Sequence, residues 1–134
     1  MKLSHTFLFV HDQDIALKFY RDVVGLEVRT DVTIENEYRW LTVGPADQPD
    51  VEIGLSLIGS PVPVTDHEAL HALMAKGSLQ GVIFEVDDVD AKFEQVRASG
   101  AEVMQEPIDQ FYGVRDCAFR DPSGTMIRFS SPRS

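Results

Sequence analysis

His5–Val28, HTFLFVHDQDIALKFYRDVVGLEV, decides the fold because it returns once, weakly but in order, as GVIFEVDDVDAKFEQVRASGAEV over Gly81–Val103. At a fixed offset Val10 meets Val86, Asp12 meets Asp88 and Asp14 meets Asp90; after one residue is dropped, GLEV meets GAEV. Internal repetition of this kind builds the same unit twice. In each copy period-two apolar residues give way to a 3.6-residue pattern, which predicts a strand followed by a helix. Asp12 and Asp88 are placed to accept backbone N–H bonds from the first helical turn, and Gly25 and Gly100 suit the left-handed position after the last. Each copy therefore reads as strand, capped helix, glycine stop and new strand. Two such modules side by side leave a seam where a ligand could sit.

Outward from the first copy lie three candidate strands, Leu26–Ile34, Tyr38–Val43 and Val51–Leu57. Asn36 marks the first turn between them, and the Pro/Gly loop GPADQPD, Gly44–Asp50, the second. In the third strand Glu52, Gly54 and Ser56 share one face while Val51, Ile53, Leu55 and Leu57 share the other. The apolar face is suited to packing on the helix, and the small polar face to lining a cleft. Two prolines within Gly59–Val64 break the pattern. Thr65–Lys76 then reads as a helix opened by a capping box of Thr65 with Glu68 and stopped by Gly77. Beyond the second copy, Ala101–Gln105, Val114–Phe119 and Thr125–Ser130 are candidate strands, the last two separated by the turn RDPSG, Arg120–Gly124. Ile127–Ser130 echoes Ile53–Ser56. The expected architecture is α+β: a βαβββ module over residues 1–60, a linker with a helix over 61–78, and a second βαβββ module over 79–134, with mixed curled sheets forming a cavity.

The 134 residues fit one domain or two half-domains sharing a core, enough to bury roughly two-thirds of the unfolded surface. Cys117 is the single cysteine and has no internal disulfide partner, and neither a secretory signal pattern nor a long apolar run is present, so a cytoplasmic protein with no membrane partner is expected. The net charge of -10, from 22 acidic and 12 basic residues without a basic cluster, disfavours a phosphate backbone, so no nucleic acid partner is expected. The acidity serves solubility; a second reading is that it draws in a cationic ligand.

A strand-initial His5, the run FYRDVVGLEV, the half-length repeat and DPSGTMIRF near the end together resemble the vicinal oxygen chelate superfamily, which includes glyoxalase I, extradiol dioxygenases and bleomycin resistance proteins. The resemblance implies paired βαβββ modules around a cavity, often completed by a homodimer. It also implies a divalent metal held at the start of the first strand and the middle of the fourth in each module. Those positions carry His5, Gly54, Gly81 and Arg128 here. Glycine offers no donor atom and a guanidinium cannot be deprotonated to become one. Unit charges ~4 Å apart at an effective dielectric near ~20 repel by about 4 kcal/mol per charge product, so Arg128 opposes a divalent ion as well. The ending GVRDCAFRDPSGTMIRF is most similar to the bleomycin resistance branch, whose members bind a drug without the metal quartet.

Strand parity turns His5, Phe7 and Phe9 to the same side, and likewise Gly81, Ile83 and Glu85; Glu52, Gly54 and Ser56; and Met126, Arg128 and Ser130. The expected lining mixes aromatic rings, two acids, an arginine and a histidine, with Glu85 and Arg128 expected to pair because an unpaired buried charge is costly. Tyr38, Arg39 and Trp40 first suggest core packing and second a stacking platform for a planar ligand. Phe111 and Tyr112, beside Gly113, sit on a loop able to close over a ligand. Candidate ligand-binding residues are therefore Phe7, Phe9, Trp40, Glu52, Ser56, Glu85, Phe111, Tyr112 and Arg128, with His5 a lone candidate metal ligand. Cys117 reads as a buried filler.

The leading expectation is a glyoxalase/bleomycin-resistance/dioxygenase-like protein that binds a small organic molecule in a cavity with a degenerate metal site, its cofactor left open between none and a divalent metal. The alternative is a divalent-metal-dependent lyase, isomerase or dioxygenase using His5 with Glu52 or Glu85. HEALH, His67–His71, has the H-E-x-x-H spacing of zinc peptidases, giving a remote third reading through His67, Glu68 and His71. No third ligand follows it in sequence, and a solvated helix face accounts for it as well.

Overall fold

The computed structural model describes residues 1–133, and the chain divides into two compact units, Met1–His71 and a second from Ala72 onward. In the first, β1 (His5–Phe9) leads into α1 (Gln13–Lys18), followed by β2 (Glu27–Ile34), β3 (Tyr38–Gly44) and β4 (Glu52–Ser56). These strands form one open sheet in the order β1-β4-β3-β2. β1 runs parallel to β4, and the other neighbours are antiparallel. Alternation along β1 sends Leu8 into the core beside Val10, Leu41, Val43, Ile53 and Leu55, and leaves Phe7 on the outer face. Burying each such aliphatic side chain contributes roughly 1.5–3 kcal/mol.

The expected first helix changes character midway. Asp12 caps it, its side chain accepting from Ile15 N at 2.9 Å, but after Lys18 the backbone widens to a π-helix over Phe19–Val24 that ends on Gly25 at φ 94°. Gly25 N donates to Tyr20 O at 3.1 Å, five residues back. The cause is the one residue by which the first copy exceeds the second. An extra residue in a regular α-helix would rotate everything after it by roughly 100°, carrying Tyr20 and Val24 off the core. The wider turn absorbs it, and Phe19, Tyr20 and Val24 stay buried.

α2 (His67–Ala75) carries the chain onward, preceded by a 3-10 turn at Val64–Asp66. The expected capping box is not formed: that turn receives no side-chain cap, and His67 Nε2 lies 2.9 Å from Val62 O instead. The second unit holds β5 (Gly81–Glu85), α3 (Val89–Ala98), β6 (Val103–Asp109), β7 (Val114–Arg120) and β8 (Met126–Pro132). Its open sheet repeats the first in the order β5-β8-β7-β6. Asp88 caps α3 through Ala91 N at 3.0 Å. β6 runs past Gln105, the expected end of this strand, and accommodates Pro107 because it is an edge strand and the proline falls in a register shift between Gln105 and Ile108. Phe93, Phe119, Phe129, Val96 and Ile127 form the core. Cys117 is fully buried there, and burial pushes its thiol up to about 11.

The registers confirm the echo between β4 and β8. Gly54 stands beside Phe7 on β1 and Thr42 on β3; Arg128 stands beside Ile83 on β5 and Ala118 on β7. Trp40 and Asp116 are thereby matched, two residues before Thr42 and Ala118. No helix among the described residues is long and apolar enough to cross a membrane.

Candidate functional site

On the outer face of the first sheet a half-open groove of about 820 Å³ is lined by Phe7, Phe9, Tyr38, Trp40, Ser56 and Leu57, with Gln13, Glu35, Glu37, Arg39 and residues 58–62 completing it. Alternation along β1 supplies the two phenylalanines and alternation along β3 supplies Tyr38 and Trp40. Trp40 is half-buried and faces the groove rather than the core. Its ring meets Phe7 edge-on, 5.7 Å between centroids at 68°, and stands 6.0 Å from His5. Leu57, expected on the helix-packed face, lies beyond the end of β4 and is exposed along the groove.

Gly54 gives Phe7 its seat. A Cβ built on Gly54 would lie 2.5 Å from Phe7 Cε1, so the ring occupies the space that a side chain at position 54 would need. Gln13 braces the groove from the helix side, donating through Nε2 to Leu55 O at 2.8 Å and Arg39 O at 3.3 Å. Arg39 contributes little free charge: Asp14 accepts from it at 2.7 Å and Asp31 at 2.8 and 2.9 Å. Those bonds hold Asp31 below the usual carboxylate range. Glu35 and Glu37 make no ion pair among the described residues, so the rim of the groove is acidic.

His5 and Glu52 sit at one end of the same face. His5 Nε2 is 3.3 Å from Glu52 Oε2, and the other carboxylate oxygen accepts from the buried Thr42 hydroxyl at 2.6 Å. Among the described residues no group of three or more His, Cys, Asp or Glu is placed to hold a metal ion.

The second sheet presents a polar face at the matching positions. Asp116, 1% exposed, accepts from Gln105 Nε2 at 2.7 Å and Gln110 Nε2 at 2.9 Å through one oxygen, and from Tyr112 Oη at 3.4 Å through the other. Arg128 Nη1 lies 3.4 Å from that second oxygen and donates to Gln105 Oε1 at 2.9 Å. Burial works against an ionised Asp116, but the glutamine donors and Arg128 outweigh it and hold the carboxyl below its usual range.

Of the residues singled out in the sequence, Phe7, Phe9, Trp40 and Ser56 come together in the groove, with His5 and Glu52 beside each other on the same sheet. Glu85, Phe111, Tyr112 and Arg128 belong to the second unit. Arg128 does not pair with Glu85: its partners are Asp116 and Gln105, because β7 brings Asp116 onto its face while Glu85 stands opposite Ser130. Phe111 is almost fully exposed and meets Tyr112 edge-on at 5.0 Å. Sequence reasoning missed Asp116 and Gln105. The alternation of Val114, Asp116 and Ala118 along β7 places Asp116 on the face of Arg128, and that signal was available. Gln13, Glu35 and Glu37 required the register of β3 and the path of α1, whereas Tyr38 was legible as part of the stacking platform.

A family model for the Glyoxalase/Bleomycin resistance protein/Dioxygenase superfamily matches residues 2–129. The chain belongs to this superfamily. It is 34% identical over 137 residues to lactoylglutathione lyase of Haemophilus influenzae, covering 100% of this chain and 95% of the relative. Among solved structures it superposes on UcmS2 with a TM-score of 0.87 at 39% identity, covering 97% of each chain. TnmS3, an antibiotic binding protein from Streptomyces sp. CB03234, follows with a TM-score of 0.76 at 28% identity, covering 98% of this chain and 96% of that one. The superfamily's expected metal positions do not fit an ion here. In the first unit one of them is Gly54, whose side-chain space Phe7 fills; in the second they are Gly81, which has no donor, and Arg128, a cation.

Proposed function

We propose that this superfamily member binds a planar aromatic small molecule in the groove of the first unit by stacking, as a binding or sequestering protein that needs no metal. The observation that carries this reading is the Phe7 ring seated over Gly54 and edge-on to Trp40. It replaces a metal-ligand position with an aromatic wall. The volume of the groove suits a drug-sized molecule, and the likeness to an antibiotic binding protein supports it. Phe9, Tyr38 and Ser56 extend the wall, and Glu35 and Glu37 favour ligands that carry a positive charge.

Trp40 is the only tryptophan, so its fluorescence reports directly on the groove. Titration with a panel of planar aromatic compounds is expected to quench it saturably for a subset, and Phe7→Ala to weaken that binding about tenfold, matching roughly 1.4 kcal/mol of lost ring contact. Saturable binding that leaves Trp40 unquenched, or that Phe7→Ala does not weaken, would sink the proposal.

The second reading is a metal-dependent lyase, isomerase or dioxygenase, favoured by the approach of His5 to Glu52 and by the likeness to lactoylglutathione lyase. It requires a near-equimolar metal lost in His5→Ala. The working protein in this proposal is a homodimer, supported by Val28, Val32 and Ile34, which one chain leaves exposed on β2. Sedimentation at micromolar concentration checks it, a monomer being the contrary outcome.

A further inference from the structure

We infer that Arg128, with the buried Asp116 and the half-buried Gln105, forms a second binding point, on the outer face of the second sheet, for an oxygen acceptor and in the first place a carboxylate. A structural ion pair uses up its donors and acceptors on one another; this one is lopsided. Asp116 receives four donors, from Gln105, Gln110, Tyr112 and Arg128, which fills the acceptor capacity of a carboxylate. Arg128, by contrast, directs only Nη1 inward. Nη2 reaches nothing better than the Met126 sulfur at 3.6 Å, and Nε makes no hydrogen bond among the described residues. A guanidinium with a quarter of its side chain exposed and fixed on one edge therefore offers its remaining N–H groups outward. That planar pair of donors matches a carboxylate.

Asp116 and Gln105 act as positioning residues. Asp116 compensates the charge of Arg128 from below, and Gln105 holds the plane of the guanidinium through Oε1 while its own amide is anchored on Asp116. Space is available at the same face. A Cβ at Gly81 would meet only Met126 O, at 3.5 Å, and Ile83, next to Arg128 in register, is 67% exposed. Glu85, two residues further along β5, bounds the site with a negative charge. That charge disfavours a multiply charged anion and leaves a single carboxylate or a polarised carbonyl as the fitting group.

The test uses the whole protein, 15N-labelled, titrated with benzoate while the Arg128 Nε–Hε resonance is followed. Parallel titrations use benzylammonium, which carries only donors, and sodium chloride at matched ionic strength. The expected result is a saturable shift with benzoate alone, and benzoate binding at least about tenfold weaker in Arg128→Gln, as for loss of a charge-assisted hydrogen bond. Arg128→Lys, which keeps the charge without the fork, is expected to fall between. The inference is overturned if the Arg128 resonance stays still, if chloride reproduces the shift, or if Arg128→Gln binds benzoate as wild type does. Should Arg128→Gln fail to fold, the resonance shift in the wild-type protein decides alone. The readout lies in the second unit and is independent of Trp40, so either proposal can fail without the other.

Discussion

Asp116 shows how much one residue can organise. Its carboxylate is removed from water and repaid with four donors, so the network is stable only while all are present. Asp116→Asn keeps the shape but removes the charge that compensates Arg128, and is expected to destabilise the protein by about 2 kcal/mol, moderated because Arg128 still reaches solvent. The pH dependence has a definite sign. With its folded value below that of the unfolded chain, Asp116 contributes stability that is fully present above the unfolded value of about 3.9. That contribution is lost as the pH falls through the folded value. Urea unfolding at pH 7 and at pH 3 should show a large gap between wild type and Asp116→Asn at the higher pH and a smaller one at the lower. An equal gap at both would show that the carboxylate's ionisation is immaterial. Gly54 makes the opposite point: its importance lies in what it lacks. The sequence displays the missing donor, whereas the ring that fills the gap becomes visible only when β1 is laid beside β4.

At the level of elements, the repeat is carried by a few polar bonds made twice. Asp12 and Asp88 cap their helices through Ile15 N and Ala91 N, and Asp14 and Asp90, the next matched pair in the sequence, bind Arg39 and Arg115 on the third strand of each unit. The two kinds of contact should differ in energy. Asp12→Ala and Asp88→Ala are each expected to cost about 1 kcal/mol as lost caps. Asp14→Asn and Asp90→Asn should cost under about 0.5 kcal/mol, since both acids are largely exposed and their ion pairs are screened. Thermal unfolding of the four variants checks this ordering, and ion-pair variants costing as much as the cap variants would refute it. Most of these elements were legible because their signals are local: period two in the strands, an aspartate before each helix, a glycine after it. The π-helical Phe19–Val24 was not. A single extra residue can be taken up in a loop or in a helix, and only the burial of Tyr20 and Val24 requires the helix. The capping box at Thr65 and Glu68 fits the same account, because Pro63 and the turn at Val64–Asp66 set a backbone path that the spacing alone does not reveal.

Over the molecule as a whole, duplication supplied two equivalent frames and substitution made their faces chemically different. Where the first sheet carries Phe7, Gly54 and Trp40, the second carries Ile83, Arg128 and Asp116. An aromatic face and a hydrogen-bonding face have thus arisen on one backbone plan, and among the described residues neither brings together three or more His, Cys, Asp or Glu placed to hold a metal ion. The consequence is measurable. Protein dialysed against a chelator is expected to keep both its melting temperature and its saturable Trp40 quenching by a planar aromatic ligand, and elemental analysis should find far less than one divalent ion per chain. A resident ion at one hundred times its dissociation constant would add about 2.7 kcal/mol of stability, which is several degrees in a chain of this size, so its removal could not pass unnoticed. If chelation lowers the melting temperature and abolishes ligand binding, and His5→Ala does the same, then His5 with Glu52 holds a metal despite the loss of the other positions. The groove would then be the entrance to an active site rather than the binding site itself.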